Sequence, residues 1–378
     1  MKKAKIKNIH KIENKKFKRL FNEKSSLLNN NSSKKKLIVN KWKYFLQIFI
    51  GLFSLFTVIA LLLYISMLNK RLNELEYINK IYKIFNTNQD LKLFLKNKTE
   101  YYYKKRKHFF HRGYNNNESI LITFQDKLNY LVIHESPEYK SNLADKIKLS
   151  EYSKKKLGKN ICVPILKIYD DANEINLNEL PDKFILKCNH GSGMNIICKD
   201  KSKFDFEMAK RQLNIWKSSN YGFETNEFQY IFIDRKIFAS PYLGDDIIDY
   251  KIFCFNGNPK YIAARKYDET EKLYFYNYYD FNWTLTDIED NRNHYRTNPN
   301  FKFAKPKNLN LMYEYAAKLS EEFVFVRVDL YEINNKVYLG ELTFAPSNVC
   351  MSFKDEAQRI FLGKLLDIRK IKPSLFNN

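Results

Sequence analysis

Residues 322–344 read EFVFVRVDLYEINNKVYLGELTF. Two runs rich in Val, Phe, Tyr and Leu flank an Asn-Asn pair, which predicts a β-hairpin. Alternation puts Val324, Val326, Val328 and Leu330 on one face of the first strand. Phe323, Phe325, Arg327, Asp329 and Tyr331 take the other. A charged Arg and Asp inside an apolar hairpin need a partner or a ligand. On the return strand Leu339, Glu341 and Thr343 are expected to share a face. With the turn centred on Asn335, Asp329 lies opposite Glu341. Facing carboxylates repel unless a cation lies between them. Magnesium held by one or two carboxylates plus substrate phosphates would supply that cation, and a salt bridge from Arg327 is the alternative. A slip of one residue would undo the geometry.

Working outward, DYKIFCFNGNPKYIAARKY (249–267) is a second hairpin, with Asn-Gly and Pro marking its turn. Asp249 and Lys251 share a face there, and Arg265 can join them from the partner strand. Further upstream, KCNHGSGMNIIC (187–198) places a lysine, a glycine-serine loop and a β-prone run in that order. A Walker loop ends in its lysine; here Lys187 comes first, on the strand entering the loop. Leu309, Met312, Ala316 and Leu319 follow helical spacing, and a final helix is expected over 354–367. From about residue 120 onward the chain therefore reads as a mixed α/β domain. Its lysines, arginines, glycine-serine loop and acids are the inventory that nucleoside triphosphate chemistry with Mg requires.

The 378 residues suffice for two or three domains. The formal charge of +23 is unevenly placed: residues 1–113 hold 27 Lys/Arg against 6 Asp/Glu, and residues 114–378 hold 38 against 36. The excess belongs to the N-terminal third, so no nucleic-acid footprint is expected on the C-terminal domain. Cys162, Cys188, Cys198, Cys254 and Cys350 are odd in number and form no C-x-x-C pair, which argues against a zinc site. Residues 1–43 form a basic tail of the kind that stays solvated. Residues 44–68, YFLQIFIGLFSLFTVIALLLYISML, carry no charge. At about 1.5 Å per residue such a run exceeds the roughly 30 Å hydrocarbon core, so a single transmembrane helix with membrane lipid as its partner is expected. Five lysines in the fifteen residues before the span place the N-terminus in the cytoplasm by a small margin. Residues 69–119 read as a helical stem ending in aromatic and basic residues, and residues 120–378 as the folded domain.

DKIKLSEY, LPDKFILKCNHGSGMNIIC, DYKIFCFNGNPKYI, YDFNW, VRVDLY and GELTF, in this order from about Asp145 to Asp367, resemble the TupA-like branch of the ATP-grasp enzymes, named for teichuronopeptide biosynthesis. The resemblance implies an α+β, ATP-grasp-like fold, preceded here by the transmembrane helix and stem. It implies ATP and Mg as cofactors. Lys187 and Lys251 would contact the phosphates, with Gly191, Ser192 and Gly193 as a flap over them. Asp329 and Glu341, with Thr343, would be the metal ligands, and Arg327 and Arg265 would face the transferred phosphoryl group or the acyl substrate. Met194 stands where a further glycine is common, and Ser240 and Pro241 where the adenine-contacting strand usually carries glutamate. Thr343 stands where asparagine is usual, and residues 346–350 replace a glycine-rich stretch. The function implied is ATP-dependent carboxylate–amine ligation on a glycan or polymer acceptor at a membrane. Two rivals remain at this stage: a type II membrane glycosyltransferase, and a non-catalytic nucleotide-binding module.

Overall fold

The computed structural model describes Lys43, Phe45, residues 61–66 and residues 121–370 except Ser136, Asn226, Asn291, Asn293 and His294. Of the uncharged run, Phe45 and residues 61–66 are described, and they are helical. The rest of the expected span, the tail before Lys43 and the stem lie outside the described residues. Among the described residues no helix is long and apolar enough to cross a membrane.

Helix α1 (Phe124–His134) opens the C-terminal domain, fixed by a capping box in which Thr123 and Asp126 bond each other's backbone N–H. Helices α2 (Pro137–Ala144) and α3 (Leu149–Leu157) follow. A four-stranded sheet then forms from β1 (Lys167–Tyr169), β2 (Phe184–Cys188), β3 (Asn195–Cys198) and β4 (Ile237–Pro241), in the order β1-β4-β2-β3. Between β3 and β4 run α4 (Phe206–Ser218), capped by Asp205, and the single turn α5 (Tyr221–Glu224). One face of this small sheet buries Phe184, Leu186, Cys188, Ile237 and Ala239 beneath Leu213 of α4. The opposite face carries Ile168, Ile185, Lys187, Asn195, Ile197, Phe238 and Ser240, as register and alternation require.

The larger sheet is built from β5 (Asp249–Phe255), β6 (Asn258–Asp268), β7 (Leu273–Tyr279), β8 (Tyr295–Arg296), β9 (Phe325–Ile333) and β10 (Lys336–Thr343). Its order is β10-β9-β5-β6-β7-β8, antiparallel except for β7 with β8. Helix α6 (Leu309–Ser320) follows the predicted spacing and packs Met312, Ala316 and Leu319 on Ile252, Val326, Val328 and Leu330. The final helix α7 (Glu356–Lys364) is shorter than expected, starting at the Asp355 cap. It joins α1 on the other face, where Phe124 meets Phe255, Phe325 and Phe353 at ring distances of 5.2 to 6.0 Å. That face is aromatic at one end. Along the same strands, β5 changes from Phe253 and Phe255 to Lys251 and Asp249, and β9 from Phe325 to Arg327 and Asp329. The apolar half anchors the face; the charged half borders a cavity.

Both hairpin turns are two-residue loops with positive φ at each centre: Asn256 and Gly257, then Asn334 and Asn335. The second turn is centred between Asn334 and Asn335, half a residue earlier than expected. On that register alone Glu341 would face Val328. A bulge at Gly340 inserts one residue, so Leu339 pairs with Leu330 while Glu341 pairs with Asp329. The expected Asp329–Glu341 pairing is therefore present, for a reason alternation does not reveal. The bulge also corrects the face assignment: Leu339 lies in the apolar core, on the opposite face from Glu341 and Thr343. All five cysteines are free thiols.

Candidate functional site

Register alone assembles the charged face. One row across the large sheet reads Glu341, Asp329, Lys251; the next reads Tyr331, Asp249, Arg265, Tyr276. All of these except the fully buried Asp329 line a cavity of about 430 Å³, together with Lys187, Ser192, Gly193 and Asn195 of the small sheet, and with Lys146, Tyr221 and Glu227.

The ionic groups form an unbroken alternating chain. Arg265 Nη2 donates to Asp249 Oδ2 at 2.6 Å, and Lys251 Nζ reaches the same oxygen at 2.8 Å. Lys251 also binds Asp329. Arg327 grips Asp329 with two bonds, Nε to Oδ1 at 2.6 Å and Nη2 to Oδ2 at 2.7 Å. The same Nη2 reaches Thr343 Oγ1 at 3.0 Å and Glu341 Oε1 at 3.4 Å. Glu341 Oε2 lies 3.9 Å from Lys146 Nζ. Four cations thus enclose three carboxylates, and the chain ends on a cation at both sides.

The cation between Asp329 and Glu341 is Arg327 itself. Burial disfavours charge on Asp329, but Arg327 and then Lys251 more than reverse this and hold its carboxyl below the usual range. Asp329 is fully buried, whereas Glu341 remains partly exposed to the cavity. The donor set of Asp329, Glu341 and Thr343 is all oxygen, as magnesium prefers. Among the described residues, however, no group of three or more metal-ligating side chains forms a site by itself. Asp329, Glu341 and Thr343 would therefore hold a magnesium ion only together with oxygens of a bound phosphate.

Lys187 differs from the other lysines. It enters the glycine loop on β2, faces the cavity, and has no hydrogen bond or salt bridge to a described residue. Burial, then the like charge of Lys146, pulls its ammonium down to about 8, against the attraction of Glu341. The loop beyond it is braced. Lys146 Nζ donates to Gly191 O at 2.7 Å, and a Cβ on Gly191 would meet the Met194 thioether at 2.8 Å. Below the loop, Asn189 bonds Asp145, Asp234 O and Lys236 N. Met194, which stands where a further glycine is common, is buried with its side chain against Gly191.

Every predicted site residue lies in or beside this cavity: Arg265, Lys251, Arg327, Asp329, Glu341 and Thr343 on the large sheet, and Lys187, Gly191, Ser192 and Gly193 on the small one. Sequence reasoning missed Lys146, Glu227 and Arg292. Glu227 is buried, accepts a hydrogen bond from Tyr221 Oη at 3.0 Å, and faces the cavity. Burial pushes its carboxyl up to about 7, the Tyr221 bond opposing and the charge of Glu341 adding to the effect. A glutamate immediately before the aromatic residues of NEFQY was the only available signal. At the position where glutamate is usual, Ser240 is buried on β4 with no partner for its hydroxyl among the described residues.

The model of the family described as TupA-like ATPgrasp matches residues 126–367. No curated protein matches the chain. Among solved structures, similarity is found to a D-alanine–D-alanine ligase from Helicobacter pylori, 15% identical over 63% of this chain and 62% of that one, with a TM-score of 0.33. An L-amino acid ligase from Bacillus licheniformis is 11% identical over 56% and 45%, with a TM-score of 0.36. A biotin carboxylase from Campylobacter jejuni is 12% identical over 64% and 51%, with a TM-score of 0.37. The chain spans less than two thirds of each of these proteins, and likenesses this slight carry no conclusion on activity.

Proposed function

This chain belongs to the TupA-like ATP-grasp family, and on that premise we propose that it is an ATP-dependent ligase joining a carboxylate to an amine during assembly of a membrane-associated glycan or polymer. The observation that carries the reading is the cation-terminated ionic chain facing Lys187 beneath a glycine loop. Such a surface offers more positive charge than its own carboxylates neutralise, and a triphosphate supplies the difference.

In this reading Lys187 and Lys251 hold the phosphates of ATP, and Gly191, Ser192 and Gly193 cover them. The adenine ring rests on the part of the small-sheet face that borders the cavity, at Phe238 and Ser240 of β4. Asp329, Glu341 and Thr343 would hold magnesium, which when bound neutralises charge on the transferring phosphate. Arg327, fixed by Asp329, stabilises the negative charge that develops as an oxygen of the acyl substrate attacks the γ-phosphorus and ADP departs. The resulting acyl phosphate is attacked by the amine, and inorganic phosphate leaves as the amide forms. Glu227, on the cavity wall with a carboxyl that titrates near neutrality, accepts the amine's proton.

Membrane anchoring through residues 44–68 is part of the proposal. Its support is the uncharged run and the helical conformation of residues 61–66, in which Leu61, Leu62, Leu63 and Ile65 are exposed. Two measurements test the whole. A non-hydrolysable ATP analogue with Mg²⁺ is expected to raise the melting temperature of the full-length protein, and more than UDP-glucose does. Absence of that stabilisation, or a preference for the sugar nucleotide, overturns the ligase reading. Deleting residues 1–68 is expected to release the protein from membranes; continued sedimentation with them overturns the anchor.

A further inference from the structure

At the β8 edge of the cavity four side chains stack, two tyrosines between two arginines. The Arg265 guanidinium lies 4.8 Å from the centre of the Tyr274 ring. Tyr274 stacks on Tyr295 at 5.4 Å with an interplanar angle of 20°. The Arg292 guanidinium covers Tyr295 at 4.4 Å. Each arginine is also held by a carboxylate: Arg265 by Asp249, and Arg292 by Asp290 through two bonds, Nε to Oδ1 at 2.9 Å and Nη2 to Oδ2 at 2.8 Å. Asp290 is fully buried and also accepts from Ser352 N at 3.0 Å and Tyr278 Oη at 3.4 Å.

The arrangement is more than the sheet needs. Two guanidiniums on one aromatic pair repel each other, and Arg265 shares its only carboxylate with Lys251. The facing loop adds a second mark. Ser347, which accepts a hydrogen bond from Arg292, and Asn348 and Val349 adopt three successive left-handed conformations, with φ of 55°, 54° and 64°. Such conformations cost free energy in non-glycine residues and cluster where ligands are held. Asn348 also lines the cavity, and its buried side-chain oxygen, an acceptor, has no partner among the described residues. Rigid, stacked guanidiniums match the fork geometry of a carboxylate better than that of a bulky or neutral group.

We infer that Arg265 and Arg292 form a second anion subsite, which binds the distal carboxylate of a dicarboxylic acyl substrate whose other carboxylate is the one activated. This rests on the ligase reading and supplies its substrate class. One carboxylate is placed beside Arg327 for phosphorylation; the other is anchored on the arginine–tyrosine stack, which sets the length and orientation of the acid.

The test is calorimetric titration of the full-length protein, saturated with a non-hydrolysable ATP analogue and Mg²⁺, with glutarate, butyrate and 4-phosphonobutyrate. Glutarate is expected to bind about tenfold or more tighter than butyrate, a difference of about 1.4 kcal/mol. Replacing Arg292 alone would strand the buried Asp290, so the variant is the double substitution Asp290→Asn with Arg292→Gln, which removes both charges. It is expected to lower glutarate affinity to the butyrate level while nucleotide affinity stays within about twofold; Arg292→Lys is expected to fall between. Equal binding of glutarate and butyrate, or a double variant that binds glutarate normally, overturns the subsite. Binding of the phosphonate without glutarate overturns the carboxylate assignment. Failure of the nucleotide to bind while glutarate binds through Arg292 overturns the ligase reading and leaves the subsite standing.

Discussion

The ring of Tyr331 lies against Gly340 so closely that a Cβ at position 340 would come within 2.6 Å of it. Gly340 is also the residue that breaks the β9–β10 register and brings Glu341 opposite Asp329. The close contact and the bulge are one feature: only a residue without a side chain admits the tyrosine and the extra backbone unit together. Gly340→Ala is expected to destabilise the domain by about 1–3 kcal/mol and to weaken nucleotide binding through the displaced Glu341. Thermal unfolding and a nucleotide titration check the two parts separately; an unchanged melting temperature would contradict the contact.

Asp329 and Glu341 predict opposite outcomes despite facing each other. Asp329→Asn leaves Arg327 and Lys251 buried without their shared counter-charge and is expected to cost about 3–5 kcal/mol. Glu341→Gln leaves Arg327 paired with Asp329, and the side chain it alters is partly exposed. Its expected cost without nucleotide is about 1 kcal/mol or less, together with loss of Mg²⁺-dependent nucleotide affinity. Chemical denaturation of both variants, followed by titrations with and without Mg²⁺, decides this. Equal destabilisation would mean that the two carboxylates share the ion pair evenly.

Glu227 makes stability depend on pH. Its folded-state carboxyl titrates at about 7, above the ordinary 4.5, so the folded protein holds more protons than the unfolded chain between those values. This contribution to stability is full at low pH and is lost as pH rises from about 4.5 to about 7. Glu227→Gln keeps an oxygen for the Tyr221 hydroxyl and is expected to be more stable than the parent above pH 7, by about 1–3 kcal/mol. It is also expected to lose ligation by about a hundredfold. Denaturation curves at pH 5 and pH 8 test the first effect, and a flat difference between them would refute it.

Lys187 titrates at about 8 in the free protein, with burial as the main cause. Nucleotide affinity is therefore expected to fall as pH rises through that value, when the ammonium is lost. Lys187→Met is expected to weaken binding by about tenfold or more and to flatten this part of the profile. Lys187→Arg should restore charge and shift the fall to much higher pH. A profile that falls equally in the methionine variant would assign the dependence to another group.

The hairpins, the helix over α6 and the pairing of Asp249 with Arg265 were legible because strand alternation and Asn-centred turns are local codes. The Asp329–Glu341 pairing was legible only in part. The half-residue misplacement of the turn and the unseen bulge compensated each other, and Leu339 exposes the difference by facing the core. Lys146, Glu227 and Arg292 come from a short connection, an irregular turn and a loop, where no periodicity says which way a side chain points. Their place in the site is set by how the two sheets and the intervening helices pack. That is information spread over the whole domain.

The ionic chain from Arg265 to Lys146 has a thermodynamic consequence of its own. Each inner group serves two neighbours, so a ligand that draws one link away changes what the next link can offer. A phosphate that recruits Lys251 leaves Asp249 to Arg265 alone and Asp329 to Arg327 alone. Occupancy at the triphosphate end therefore alters the affinity of the arginine–tyrosine end, and by linkage the reverse holds by the same factor. With both ends occupied as proposed, the two ligands are expected to bind cooperatively or antagonistically rather than independently, because one ionic network serves both.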